Sequence, residues 1–155
     1  MIELSVVSDI DAPADRIWDA LTDLSRFEEW NPFIREARGT PAVGAKLRVH
    51  VRPWPLLPLT FEPTVVVCDE NRELRWRGHF LTPWLASGDH RFKLEPSSGG
   101  RIRFVQEERF TGLLPRCMSW LLEREARRGF QAMNRALKAR VERPRVVPVA
   151  VAAAS

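Results

Sequence analysis

The fold of this chain of 155 residues is constrained most by its hydrophobic pattern, which is strand-like first and helical at the C-terminal end. Apolar and polar residues alternate through most of the sequence up to Phe110, whereas residues 115 to 143 repeat their apolar positions at helical spacing. Alternating segments form strands with one apolar face, and a twisted sheet of such strands needs a cover for that face. The long C-terminal helix is the element able to supply it, and the chain length suits one hydrophobic core.

Seven strands and two short helices are predicted before that helix. The first strand covers residues 3 to 10, a helix begins at Pro13, and a second short helix ends at Pro32. The other strands cover residues 34–39, 45–52, 60–69, 73–81, 86–95 and 101–110. Turn residues between them predict an antiparallel meander. We therefore expect an α+β fold in which a seven-stranded curved antiparallel sheet wraps around the C-terminal helix.

The chain is predicted to form one domain over residues 1 to 142. Residues 143 to 155 carry Val, Ala and Pro without periodicity, which predicts a disordered tail. The net charge of +4 is spread among acidic residues rather than gathered in one patch, which argues against nucleic-acid binding. No apolar run approaches the ~20 residues of a membrane span, and no signal peptide is visible.

The sequence contains no motif for a bound cofactor or metal. Cys68 and Cys117 are too few for a disulfide framework and lack metal-ligand spacing. A Gly-rich phosphate loop and a nucleophile elbow are both missing. We therefore expect a cytoplasmic protein that needs no cofactor.

Two strands carry polar side chains on their apolar faces. His90 shares a face with Phe92, and on the last strand Gln106 and Glu108 share a face with Phe104. A hairpin that keeps the apolar faces together pairs His90 with Gln106 or with Glu108, depending on the turn. A carboxylate facing a low-dielectric interior is costly unless it is paired, and imidazole is a natural partner. His90 and Glu108 are therefore candidates for anchoring a ligand or for proton transfer; the alternative is an internal polar cluster that fixes the strand register.

Apolar residues on the same inner faces complete a candidate ligand-binding surface. Large rings and aliphatic side chains there suit a cavity, although core packing explains them equally well. Besides His90, Gln106 and Glu108, the candidate surface comprises Trp76, Phe92, Phe104, Phe110, Leu122, Phe130 and Met133.

Loops at one end of the predicted meander are uncharged throughout. They cover residues 53–59, 81–86 and 111–115. Exposed apolar clusters mark ligand entrances, membranes or partners. The candidate entrance residues are Trp54, Leu56, Leu57, Trp84, Leu85 and Leu114. A homodimer interface, a transient membrane contact and folding of these loops into the core are the alternatives.

Five short motifs resemble the polyketide cyclase/dehydrase branch of the START-like (SRPBCC) superfamily. They are Ala12-Pro13 before Ile17-Trp18, the segment 30–33, the segment 73–78, the segment 88–92 and the segment 108–114. The resemblance implies the helix-grip fold, with a hydrophobic cavity between the sheet and the helix and a portal at the uncharged end. Members of that superfamily include lipid-transfer proteins, hormone-binding proteins, aromatic polyketide cyclases and hydrolase activators, so the fold leaves the function open.

Three functions remain as hypotheses. The first is binding or carriage of a lipid-like or aromatic small molecule in an internal cavity, with His90, Glu108 and Gln106 orienting its polar end. The second is a cyclase or dehydratase in which His90 or Glu108 moves a proton. The third is a regulator that docks through the apolar loops. The sequence alone leaves open whether the chain is an enzyme.

Overall fold

The alternating segments form two antiparallel sheets in the computed structural model, which describes residues 1–52, 58–117 and 119–143. The first sheet has five strands in the order β1 (Ile2–Ile10), β8 (Ile102–Thr111), β7 (Ala86–Pro96), β6 (Glu73–Phe80) and β5 (Thr64–Asp69). The second has three in the order β2 (Ile34–Arg38), β3 (Arg48–Val51) and β4 (Leu59–Phe61). Of the predicted tail, only Arg143 lies within the described residues.

The strand count differs from the prediction of seven strands in one sheet, because the described residues form eight strands in two sheets. The segment 60–69 is divided at Pro63, which has no N–H to donate to a ladder. The two sheets stay joined at this corner, where Leu47 N donates to Pro63 O at 2.8 Å and Val65 N to Ala45 O at 2.9 Å. The predicted curved antiparallel sheet is thus confirmed, with one additional break.

The helices are α1 (Ala14–Thr22), α2 (Phe27–Trp30), α3 (Leu113–Cys117) and α4 (Ser119–Glu142). A 3₁₀ turn, Leu24–Arg26, separates the first two. The predicted helical stripe is confirmed, because α4 buries Ala126, Phe130, Met133 and Leu137 against the sheet. Within the described ranges, no helix combines the length and the apolar character that a bilayer crossing requires.

Two clusters of buried side chains make up the core. The larger joins α1, β2, β3 and the C-terminal half of α4 to the inner face of β6, β7 and β8. The smaller lies around Ile2, Leu4, Ala126 and Phe130. The centroid of the His90 ring lies 4.5 Å from the ring centroid of Phe92, in the larger cluster, and 5.0 Å from that of Phe130, in the smaller one. The polar residues of the inner face therefore lie where the two clusters meet.

Candidate functional site

The inner face carries one row of buried side chains across four neighbouring strands. Strand pairing aligns Trp76 with His90, His90 with Glu108, and Glu108 with Leu4. His90 is 6% and Glu108 7% exposed. Of the two registers that the sequence allowed, the structure thus has the one that places the imidazole directly opposite the carboxylate.

The hydrogen bonds of His90 define its tautomer. Its Nδ1 contacts Oε2 of Glu108, and its Nε2 lies 3.1 Å from Nε2 of Gln106. An amide nitrogen donates, so Nε2 of the imidazole accepts and the ring proton on Nδ1 is donated to Glu108. The lone pair that would make His90 a base at Nε2 is therefore occupied by Gln106.

The side-chain amide of Gln106 is satisfied on one side only. Its nitrogen also lies 3.5 Å from Sδ of Met133. Its oxygen, Oε1, is buried and has no hydrogen-bond partner within the described ranges. Glu108 uses Oε2 for His90, which leaves its Oε1 as a second acceptor at the site. A buried acceptor without a donor costs stability, so this site favours a molecule that donates hydrogen bonds.

Aromatic rings fill the interior next to the His90–Glu108 pair, which we call the dyad. The Trp76 ring is stacked on that of His90 with centroids 5.4 Å apart, and Phe130 meets the same imidazole edge-on. Phe92 and Phe104 are stacked at 5.9 Å and fully buried. These predicted ligand-binding residues therefore close the deep part of the interior by packing against one another.

Phe33, which belongs to the 30–33 motif but is not among the predicted ligand-binding residues, fills the space that Gly129 leaves on α4. A Cβ at position 129 would overlap the Phe33 ring. That ring also packs edge-on against Phe130, with centroids 5.6 Å apart. Asn31 positions the segment, because its Oδ1 accepts hydrogen bonds from the backbone N–H of Phe33 at 3.0 Å and of Ile34 at 2.8 Å. Gly129 thus serves close packing.

The opposite end of the inner face is less completely covered. The next row aligns Gly78 with Gly88 and Gly88 with Phe110, and all three are half-buried. Gly88 makes room for the carboxylate, because a Cβ there would lie 2.7 Å from Oε1 of Glu108. Leu122 of α4, also half-buried, packs on the same cluster as Phe110. The dyad therefore borders an end of the inner face where the apolar residues are only half-buried.

The loops at this end are held together by backbone hydrogen bonds. Leu113 N donates to Trp84 O at 3.1 Å, and Leu114 N donates to Leu85 O at 3.0 Å. Gly112, with φ of 112°, permits the contact because a Cβ there would lie 2.6 Å from Leu85 O. Among the predicted entrance residues, Trp84 is exposed while Leu85 and Leu114 are half-buried. Trp54, Leu56 and Leu57 lie outside the described residues.

Three further apolar side chains at this end are exposed and were not among the predicted entrance residues. They are Leu81, Leu113 and Trp120, which are 73%, 51% and 70% exposed. Trp120 lies off the buried stripe of α4. The sequence could have indicated its exposure, because position 120 does not fall on the helical spacing of the buried apolar residues.

The structure also has two surface grooves within its described residues, and both lie outside the sheet–helix interior. The larger, of about 1080 Å³, runs between α1 and the C-terminal end of α4, and half of its lining residues are charged, including Arg16, Glu29 and Arg140. The smaller, of about 260 Å³, follows the outward-facing ion pairs of β6, β7 and β8 beside β1, and its lining also includes Leu4 and Glu108 of the inner row. Charged linings of this kind do not suit an apolar ligand.

The outer face of the sheet carries a lattice of ion pairs. Asp89 on β7 accepts hydrogen bonds from Arg75 at 2.6 and 2.8 Å and from Arg77 at 2.8 and 3.0 Å. The hydrogen bonds from Arg75, opposed in part by burial and aided by Arg77, lower the pKa of Asp89 from 3.8 to about 2. Asp89 thus has a structural role on the face opposite His90.

A curved antiparallel sheet wrapped around a long C-terminal helix is the helix-grip fold that the sequence predicts. Residues 1–142 match the sequence profile of the family described as "Polyketide cyclase / dehydrase and lipid transport". The chain belongs to this family, and the predicted resemblance to the polyketide cyclase/dehydrase branch is confirmed. No curated protein matches the chain at a significant level.

Solved structures show the same fold at low sequence identity. The Zhui aromatase/cyclase from Streptomyces sp. R1128 is 18% identical with a TM-score of 0.75, over 92% of this chain and 94% of that one. A START superfamily protein from Mycobacterium smegmatis is 21% identical with a TM-score of 0.69, over 90% of this chain and 97% of that one. Because identity is this low, these similarities establish the fold alone.

Proposed function

We propose that the protein binds a lipid-like or aromatic small molecule between the concave face of the sheet and α4. The molecule lies against the less covered end of the inner face, around Phe110 and Leu122. Its polar end points toward Gln106 and Glu108. Burial of its apolar part supplies most of the affinity, and the polar groups orient it.

The observation that carries this proposal is the buried Oε1 of Gln106, which has no donor among the described residues. Two residues along the same strand, Glu108 offers Oε1 as a second acceptor, and the imidazole of His90 already contacts both side chains, Glu108 through Nδ1 and Gln106 through Nε2. Two acceptors call for a donor on the ligand, whereas a second carboxylate would be repelled. The ligand class is therefore an apolar molecule that ends in a hydroxyl, such as a phenol or a long-chain alcohol.

Thermal shift and native mass spectrometry test the proposed ligand class with pairs of ligands that differ only in their polar end. A long-chain alcohol and a flat phenol should stabilise the protein, and the fatty acid of equal chain length should do so less. Glu108→Gln should weaken hydroxyl binding by about tenfold or more, since it removes a charged acceptor. Glu107→Gln is the matched control, because Glu107 is the neighbouring carboxylate and pairs with Arg91 on the outer face. If no apolar ligand stabilises the protein, or if acids bind as well as alcohols, the proposal is wrong.

We also propose that Trp84, Leu85 and Leu114, at the uncharged end of the protein, form the entrance for the ligand. The half-buried leucines lie between the exposed surface and the inner face, and the backbone bonds to α3 hold the loop in place. Replacing Leu85 with a serine should slow ligand association more than it changes the equilibrium affinity. A stopped-flow measurement with a fluorescent ligand separates the two.

A second candidate is a cyclase-type enzyme, favoured by the pairing of His90 with a carboxylate, an arrangement that orients and polarises an imidazole. In the observed arrangement Gln106 occupies Nε2, so proton transfer at that atom needs the amide to move aside. The enzyme hypothesis predicts that His90→Gln abolishes turnover of a polyketide-like substrate while binding persists. The binding hypothesis predicts a change of affinity alone.

A further inference from the structure

Four exposed apolar side chains gather at the end of the molecule where the β6–β7 loop meets α3 and the start of α4. We call Leu81, Trp84, Leu113 and Trp120 the apolar rim. They account for four of the seven large apolar side chains that are exposed among the described residues. The bond from Leu113 N to Trp84 O joins two of the segments, and α3 leads into α4, where Trp120 lies in the first turn. A concentration of this kind at one end of a molecule marks a contact surface.

Leu81 combines a strained backbone with an exposed apolar side chain. Its φ of 60° lies in the left-handed region that disfavours residues with a Cβ, and the leucine there is 73% exposed. A glycine or asparagine would suit this conformation better. The position therefore keeps an apolar side chain in water on a strained backbone, which points to a role outside the folded core.

Positive charge borders the rim. The β6–β7 loop over residues 81–86 is uncharged, whereas residues 113–128 contain four arginines and two glutamates. Arg124 lies over the Trp120 ring, with its Cζ 5.4 Å from the ring centroid. Arg127 pairs with Glu123 at 3.2 Å, while Arg124 and Arg128 share one carboxylate, that of Glu125, at 3.5 and 3.2 Å. The surface next to the rim thus keeps a net positive charge, and Trp, Leu and Arg together are the composition of a membrane-interface element.

We infer that the apolar rim docks on the surface of a bilayer containing anionic lipids. The tryptophans and leucines enter the headgroup region while Arg116, Arg124 and Arg128 face the lipid phosphates. A second copy of the chain is a poorer fit, because two tryptophans that are about two-thirds exposed offer roughly 200–350 Å² between them. Each partner in a stable complex buries ~800 Å², and the two leucines do not close that gap. The inference goes beyond ligand binding and does not depend on it.

Co-sedimentation of the full chain with lipid vesicles tests the inference. The protein should bind vesicles of mixed phosphatidylcholine and phosphatidylserine, and bind those of phosphatidylcholine alone more weakly. The double variant Trp84→Ser/Trp120→Ser should lower the partition coefficient by about tenfold or more, since Trp favours the interface. Val43→Ser is the matched control and should bind as the wild type does, because Val43 is 68% exposed in the β2–β3 connection, away from the rim.

Three outcomes would overturn the inference. These are absence of binding to mixed vesicles, equal binding by the tryptophan variant and the Val43 control, and a stable dimer in sedimentation velocity that the tryptophan variant dissociates. The last would identify a second copy as the partner. Glu108→Gln, which tests ligand anchoring, should bind vesicles as the wild type does, so a failure of ligand binding and a failure of docking are observed separately.

Discussion

Gly88 lies directly beneath the carboxylate of Glu108, so that a Cβ at position 88 would come within 2.7 Å of Oε1. No real Cβ tolerates that contact, and the carboxylate is held on its other side by His90. The position of the dyad thus depends on a side chain that is missing from the neighbouring strand.

Gly88→Ala should therefore displace the carboxylate and destabilise the protein by about 1–3 kcal/mol, the usual cost of overpacking. In a Glu108→Ala background the same change should cost less than ~0.5 kcal/mol, because no carboxylate remains to be displaced. Urea unfolding of the four proteins of this double-mutant cycle measures the difference. Equal costs in the two backgrounds would contradict the geometry.

Gly129→Ala should destabilise the protein even though alanine is the better helix former. The new methyl group overlaps the Phe33 ring, and repacking costs about 1–3 kcal/mol against a propensity gain of ~1 kcal/mol. Phe33→Leu shortens the opposing side chain, so the double variant should recover part of the loss from Gly129→Ala. Thermal unfolding compares the three variants with the wild type. A stabilised single variant would show that the ring moves aside freely.

Asp89→Asn should lower stability at neutral pH by about 1 kcal/mol, a moderate value because the Arg partners are partly exposed. The pKa of Asp89 is lowered on folding, so its contribution is present above pH 3.8 and is lost as the pH falls toward 2. The stabilities of wild type and variant should therefore converge between these values. Asp9→Asn is the control and should change stability little, because the carboxylate of Asp9 lies 3.8 Å from the Arg103 guanidinium and is more exposed. Parallel curves for Asp89→Asn and wild type down to pH 2 would refute the assignment.

Leu81→Asn should raise stability by about 0.5–1 kcal/mol, because asparagine tolerates the left-handed backbone and no buried leucine contact is lost. Asn71, with the same φ of 60° in the β5–β6 turn, provides the reciprocal test. Asn71→Leu should cost about 1 kcal/mol. Differential scanning calorimetry measures both. If docking involves Leu81, Leu81→Asn should bind mixed vesicles more weakly while melting at a higher temperature.

Local periodicity correctly predicts the orientation of most inner-face residues. Alternation alone is enough to place His90, Gln106 and Glu108 on the inward side of their strands, and all three are buried. It fails where an element depends on its neighbours. The segment 60–69 reads as one continuous strand, yet the corner between two sheets divides it at Pro63.

The sequence by itself determined most of the order of the elements, the face on which the inner side chains lie and the uncharged character of the β6–β7 loop. These properties follow from the geometry of a single strand or helix. The tertiary structure decided that His90 pairs with Glu108 rather than Gln106, because both registers have the same parity. It also decided that Phe33 fills the space at Gly129 and that Trp120 stays in solvent. Such contacts join residues far apart in the chain, so they are set by how the elements pack.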